Sequence, residues 1–176
     1  GGGRGLVARP AHRPLTGPAA APGPAVAALL DRLAPPGVRT GVLAVDDRHT
    51  TMLLAGEREA VAGAVAARRR QFATGRVLLR SLLDDPPAIP VAASRAPVLP
   101  PGVVGSLAHD DRIAVATLAP AGTAAALGID VEPAAPLDPD EAATVLRPDE
   151  DDLDAHVAFV VKEAAYKAWS ALGGPL

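Results

Sequence analysis

Residues 103–133 read VVGSLAHDDRIAVATLAPAGTAAALGIDVEP, and their pattern decides the fold class. Val103-Val104 opens a strand that is expected to break at Gly105-Ser106, leaving residues 105–109 as a loop. The apolar run from Ile113 to Leu118 is the next strand, and residues 126–132 form a third, stopped by Pro133. Helical patterns flank this region. Upstream, residues 25–33 predict a short apolar helix ended by Pro35-Pro36, and residues 38–45 a buried strand. Residues 56–83 form one long helical stretch, with Val61, Val65, Phe72, Leu79 and Leu83 near helical spacing. Residues 84–101 read as a proline-punctuated linker with a short extended piece at 89–91. Downstream, residues 139–146 predict a short acidic helix and residues 157–172 a stronger one, ended by Gly173-Gly174 and Pro175. Strands and helices are interleaved, so the expected class is α+β, close to α/β.

The 176 residues suit one domain or two small halves, with length enough for a real core. Hydrophobic residues make up 49% of the chain, yet its only aromatics are Phe72, Phe159, Tyr166 and Trp169, so the core must rest on Ala, Val, Leu and Ile. Cysteine is absent, which excludes disulfides and thiolate metal sites and suits a reducing cytoplasm. No apolar run is long enough to span a bilayer. A formal net charge of −3 argues against general nucleic-acid binding. Residues 1–24 are rich in Gly, Pro, Ala and Arg and carry no acid. They are expected to be a disordered extension rather than a targeting helix, since prolines interrupt any amphipathic period.

Asp130 and Glu132 alternate with Ile129 and Val131, so on an extended chain both carboxylates share a face while the aliphatics turn inward. Such a pair can share one hard cation, and Mg²⁺ favours a few carboxylates completed by phosphate oxygens. The same pattern also describes a strand with a solvated acidic face. Glu163 and Lys167 stand four apart on the last helix, a spacing that by itself reads as a surface ion pair. Against that reading, both lysines of the chain, Lys162 and Lys167, fall within residues 159–169, as do three of its four aromatics, while arginine serves fifteen times elsewhere. An ammonium and a guanidinium are not equivalent toward phosphate. Ala164, Ala165, Ala168 and Trp169 are expected to turn to the core. Gly105-Ser106-Leu107-Ala108-His109 offers close backbone approach and polar side chains to a ligand. It lacks a Gly-x-Ser-x-Gly hydrolase elbow. Arg68, Arg69, Arg70, Arg76 and Arg80 line one helix, either as a solvated face or as a grip on a multiply charged anion.

Taken in order, Gly105–His109, then Gly128-Ile129-Asp130-Val131-Glu132, then Lys162-Glu163-Ala164-Ala165-Tyr166-Lys167 resemble the signatures of the 4′-phosphopantetheinyl transferase superfamily. The resemblance runs from about Val38 to Gly174 and is nearest to the longer, monomeric type. Residues 68–76, Arg95-Ala96-Pro97 and residues 101–105 extend it. It implies two pseudo-symmetric α+β halves, here residues 25–101 with the arginine-rich helix and residues 102–176 with the acidic motifs. Coenzyme A would lie between them. Mg²⁺ would be held by Asp130, Glu132 and Glu163. Arg68 and Arg76 would hold the 3′-phosphate, with His109 beside them and Ala108 along the nucleotide; Arg95 is a further candidate. Lys167 would reach the pyrophosphate, and Lys162 would orient Glu163 or the phosphate. The catalytic residues implied are Glu163 as general base, Lys167 and Asp130.

The implied activity is transfer of phosphopantetheine from coenzyme A to a serine of an apo acyl or peptidyl carrier protein, by a cytoplasmic monomer. The family normally continues with further strands after the third signature, so the resemblance also implies C-terminal truncation. Two other readings remain open: a non-catalytic fragment that binds coenzyme A or a carrier protein, and another Mg²⁺-dependent phosphotransferase.

Overall fold

A computed structural model describes residues 22–84, 86–150 and 152–174. In chain order they form α1 (Pro22–Leu33), β1 (Arg39–Ala44), a 3₁₀ turn (Asp47–Met52), α2 (Ala55–Ala60), α3 (Ala66–Leu82), β2 (Val103–His109), β3 (Ile113–Pro120), α4 (Pro139–Val145) and α5 (Ala155–Ala171). The three strands make one antiparallel sheet in the order β1-β3-β2, with Val42 opposite Val115 and Ser106 opposite Thr117. The α+β class is as the sequence predicts. Because β1 pairs with β3, one sheet joins both sides of the boundary expected at residue 101. The expected disordered extension falls mostly outside the described residues; Pro22, Gly23 and Pro24 belong to α1.

β3 is central, and every residue from Ile113 to Ala119 is buried. Its alternation builds two layers of core. Ala114, Ala116 and Leu118 face α3 and the segment that follows it, where they meet Leu78, Leu79 and Ile89. Ile113 and Val115 face the other way, with Ala108, Ile129 and, from α1, Val26 and Leu30. The β2–β3 turn is held by Asp110, whose Oδ1 accepts the N–H groups of Arg112 and Ile113, each at 2.7 Å. Such a side-chain turn competes well with water for the backbone donors.

Four expectations are corrected. β2 does not break at Gly105-Ser106 but runs through to His109. Gly105 is needed for packing, because a Cβ there would meet Leu118 and lie 2.6 Å from the Thr117 carbonyl oxygen. Residues 126–132 belong to no strand. They lie on α5 instead, so closely that a Cβ on Gly128 would strike the Ala164 carbonyl. The stretch 56–83 is two helices, separated where Val61 turns into a pocket with Leu53, Phe72 and Ala73. On α5, the backbone of Ala164 and Ala168 lies against Gly128 and both residues are half-buried, but Ala165 is exposed and Trp169 is 54% exposed rather than turned to the core.

The arginine row is solvated only in part: Arg69 is exposed and Arg68 and Arg70 are half-buried. Arg80 is buried and paired with Glu57, while Arg76 is only 2% exposed. Burial pushes the Glu57 carboxyl up, but bonds from Arg80 and from the N–H groups of Leu54 and Ile89 outweigh it and hold the acid below its usual range. Among the described residues no helix is long and apolar enough to cross a membrane.

Buried His49 bonds Thr74 Oγ1 through Nδ1 at 2.9 Å, and burial lowers its pKa below the ordinary 6.5. The unfolded chain therefore takes up a proton near that pH while the folded chain does not. Stability is lost as pH falls below about 6.5, toward the lower folded value. The urea midpoint should be lower at pH 5.5 than at pH 7.5, with a smaller difference in His49→Gln. An undiminished difference in that variant would assign the slope to other groups.

Candidate functional site

The N-terminal part of α3, strand β2, the turn at residues 94–97, residues 130–132 and one face of α5 enclose an open cleft of about 860 Å³. Arg68, Arg76, Ala108, His109, Asp130, Glu132, Glu163 and Lys167 all line it, and so does Arg95. The structure thus brings these predicted site residues, though not Lys162, together from five separated segments.

One wall is cationic. Arg68 Nη1 donates to His109 Nε2 at 2.8 Å. A guanidinium can only donate, so Nε2 accepts and the ring proton sits on Nδ1, which is buried without a partner. Burial first, then the charges of Arg68 and Lys167, lower the His109 pKa and favour the neutral ring. Burial and then the neighbouring Arg95 act against the charge on Arg68. Among the described residues neither Arg68 nor Arg95 has a carboxylate in ion-pair range. Two adjacent guanidinium groups without an acid suit an anion with several oxygens.

Arg76 lines the cleft but also donates to the backbone. Its Nε donates to the Ile89 carbonyl at 3.0 Å and an Nη to that of Pro90 at 3.4 Å, with Phe72 stacked 4.3 Å from the guanidinium carbon. Burial lowers its pKa to about 10, still far above neutral pH. It holds the chain at the cleft's edge.

The facing wall is acidic. Alternation along residues 129–132 buries Ile129 and packs Val131 against the same cluster, while Asp130 and Glu132 enter the cleft. The expected sidedness holds even without the expected strand. Lys167 Nζ donates to Asp130 Oδ1 at 2.5 Å and to the Ile129 carbonyl at 3.2 Å. It is thus tied to Asp130, neither paired with Glu163 across the helix turn nor pointed freely at a pyrophosphate. Asp130 Oδ2 is buried and unpartnered. Partial desolvation and then the Asp130 charge raise the Glu132 pKa, a like-charge strain that a cation would relieve. Asp130, Glu132 and Glu163 share the cleft, but no group of three such side chains converges as a metal cage among the described residues. Lys162 lies apart from this chemistry, bonded to Glu150 and, at 2.7 Å, to the Val145 carbonyl, so it fastens α4 to α5.

Several lining residues escape sequence reasoning. Tyr166 and Ser170 follow Glu163 by three and seven positions, so helical period alone would have put them on its face. Phe72 and Ser94 arrive through long-range packing, which no local spacing announces.

The small α+β scaffold thus sets cations and carboxylates on facing walls of one cleft. Residues 56–119 match the family model of the 4′-phosphopantetheinyl transferase N-terminal domain. The chain is 38% identical over 144 residues to the 4′-phosphopantetheinyl transferase Svp of Streptomyces mobaraensis, an alignment covering 73% of this chain and 58% of that protein. It is 36% identical over 126 residues to the 4′-phosphopantetheinyl transferase Npt of Nocardia iowensis, covering 64% and 57%. The chain therefore belongs to the 4′-phosphopantetheinyl transferase superfamily and spans a little over half the length of these curated relatives.

Proposed function

We propose that this chain carries the coenzyme A site of an enzyme that transfers 4′-phosphopantetheine to a serine of an apo acyl or peptidyl carrier protein. The observation that carries the reading is the cleft in which Arg68, Arg95 and His109 face Asp130, Glu132 and Glu163. Coenzyme A has a matching layout, with a 3′-phosphate at one end of the nucleotide and a pyrophosphate at the other.

Arg68 and Arg95 would hold the 3′-phosphate, with the His109 Nδ1–H as a neutral donor beside them. Lys167 would exchange its bond to Asp130 for the pyrophosphate. Asp130, through its unpartnered Oδ2, and Glu132 fit a hard divalent cation, since Mg²⁺ is held by one or two carboxylates plus substrate phosphate oxygens. When bound there, Mg²⁺ would neutralise pyrophosphate charge. Glu163 would accept the serine proton as Oγ bonds to the β-phosphorus. The bond from that phosphorus to the bridging oxygen then breaks, and adenosine 3′,5′-bisphosphate leaves. The reading includes a monomer acting in the cytoplasm, with coenzyme A between residues 25–101 and 102–176.

Incubation with coenzyme A, Mg²⁺ and an apo carrier protein tests it. One phosphopantetheine should be added to the carrier's intact mass, with release of an equal amount of adenosine 3′,5′-bisphosphate. Tight coenzyme A binding without either product would favour a non-catalytic binding part.

The 3′-phosphate assignment has its own measurement. Arg68→Ala should weaken coenzyme A by about 10- to 100-fold, the size of a lost charge-assisted bond, and leave dephospho-coenzyme A nearly unchanged. Arg76→Ala should instead lower unfolding stability by about 1–3 kcal/mol, because the buried Ile89 carbonyl loses its side-chain donor. Calorimetry and urea unfolding separate the two. Equal losses for both ligands in Arg68→Ala would remove it from the 3′-phosphate.

A further inference from the structure

Glu57 lies outside the cleft, yet it is one of the most enclosed side chains of the molecule, at 1% exposure. Its Oε2 accepts from Arg80 and, at 3.0 Å, from the Leu54 N–H. Its Oε1 accepts the N–H of Ile89 at 3.1 Å. Arg80 is itself fixed by a 2.7 Å bond from Nη2 to the Met52 carbonyl. The other side of Ile89 is held too, since its carbonyl accepts Arg76 Nε at 3.0 Å. The Ile89 side chain, 2% exposed, is set among Leu78, Leu79 and Leu118.

Immediately beyond this clamp the chain makes a small antiparallel loop. Val91 bridges Pro97, Ala92 N–H bonds the Ala96 carbonyl at 2.9 Å, and Val98 N–H bonds the Pro90 carbonyl at 2.9 Å. At its tip Arg95 donates its N–H to the Ala92 carbonyl at 2.8 Å with φ at +69°. That left-handed conformation is unfavourable for a residue with a Cβ, and persists where surroundings over-determine it. The loop has no strand neighbour in the three-stranded sheet. It is rooted at Ile89 and Pro90 on one arm and at Leu99, packed against the core, on the other, and its tip supplies a cation to the cleft.

We infer that Glu57 is a positioning residue for the cleft, acting through Ile89 to hold the 90–98 loop so that Arg95 faces the bound phosphate. The inference rests on the coenzyme A reading of that cleft. A buried acid serving stability alone is commonly replaceable by apolar packing. This one instead holds the backbone donor at the root of the segment that carries a cleft cation, and two arginines complete the clamp.

A double-mutant cycle on coenzyme A affinity tests it, with wild type, Glu57→Gln, Arg95→Ala and the double variant measured by calorimetry. Alanine keeps the Cβ and hence the backbone strain at residue 95, so only the guanidinium is lost. Each single change should weaken binding about tenfold, and the double variant should be no weaker than Arg95→Ala, because coupled residues are not additive. Losses that multiply, or no loss in Glu57→Gln, overturn the inference.

Amide exchange supplies a readout that needs no ligand. Ala92 and Val98 should lose protection in Glu57→Gln while Val115 of the central strand keeps its own. Uniform loss across the sheet would mean a stability role only and overturns the inference. If Glu57→Gln does not fold, Arg80→Lys, which keeps the charge but not the bond to Met52, is carried through the same two measurements with the same criteria. Failure of the wild-type protein to bind coenzyme A would overturn the functional reading, while exchange at Ala92 and Val98 still decides whether Glu57 holds the loop.

Discussion

Asp130→Asn is expected to abolish carrier-protein modification, with transfer falling by about 10³-fold or more, as when one preorganised electrostatic group is removed from an enclosed site. The substitution keeps shape and one acceptor, so the Lys167 bond to the former Oδ1 position can survive. What it removes is the negative charge behind Oδ2, a buried oxygen without any partner in the protein. A carboxylate left half-satisfied at 7% side-chain exposure is hard to justify by folding alone. Its structural part is smaller: Lys167 loses a counter-charge but is 31% exposed, so water screens it, and the expected loss is roughly 1–2 kcal/mol. Divalent binding offers a second readout, with Mn²⁺ affinity followed by electron paramagnetic resonance in the presence of coenzyme A. Both transfer and Mn²⁺ affinity should collapse while the circular dichroism spectrum is retained. A variant that keeps parental turnover would take Asp130 out of the site.

Glu163→Gln should lower turnover by about 10²–10⁴-fold, the range expected for loss of a general base, with coenzyme A affinity changed little. Glu163 lines the cleft from α5 but takes part in no ion pair or side-chain hydrogen bond among the described residues. Its partner Lys167, one turn on, is held by Asp130 instead. The surface-pair explanation for the Glu163 and Lys167 spacing therefore fails on geometry, and the carboxylate is left available. The amide can neither take a serine proton nor add charge to the acidic wall, yet it is isosteric, so unfolding should shift by well under a kcal/mol. Single-turnover mass analysis at saturating coenzyme A separates the chemical step from binding. Equal loss in affinity and rate would make Glu163 a binding residue. No loss in either would return it to the surface of a structural helix.

These outcomes depend on features of very different legibility. Sidedness was readable wherever a local period sets it. Alternation at residues 129–132 put Asp130 and Glu132 opposite Ile129 and Val131, and the fold keeps that arrangement although the expected strand pairs with nothing. Helical period put Glu163 and Lys167 on one face of α5, and both reach the cleft. Glycine was the misleading signal. Gly105 looked like a strand break and proved to be a close contact inside β2, because the same missing Cβ serves a turn and a tight packing equally well.

The amino-acid sequence by itself determined the α+β class, the apolar run of the central strand, and the set of charged residues that gather at the cleft. Tertiary structure alone decided who partners whom. It tied Lys167 to Asp130, bonded Arg76 to the Ile89 carbonyl, bound Lys162 to Glu150, and ran a chain of bonds from Arg80 through Glu57 to Ile89. The physical reason is that periodicity fixes only the direction a side chain takes from its own backbone. Which charge waits there depends on how distant segments pack, and a buried arginine or glutamate is tolerated only where that packing delivers its partners.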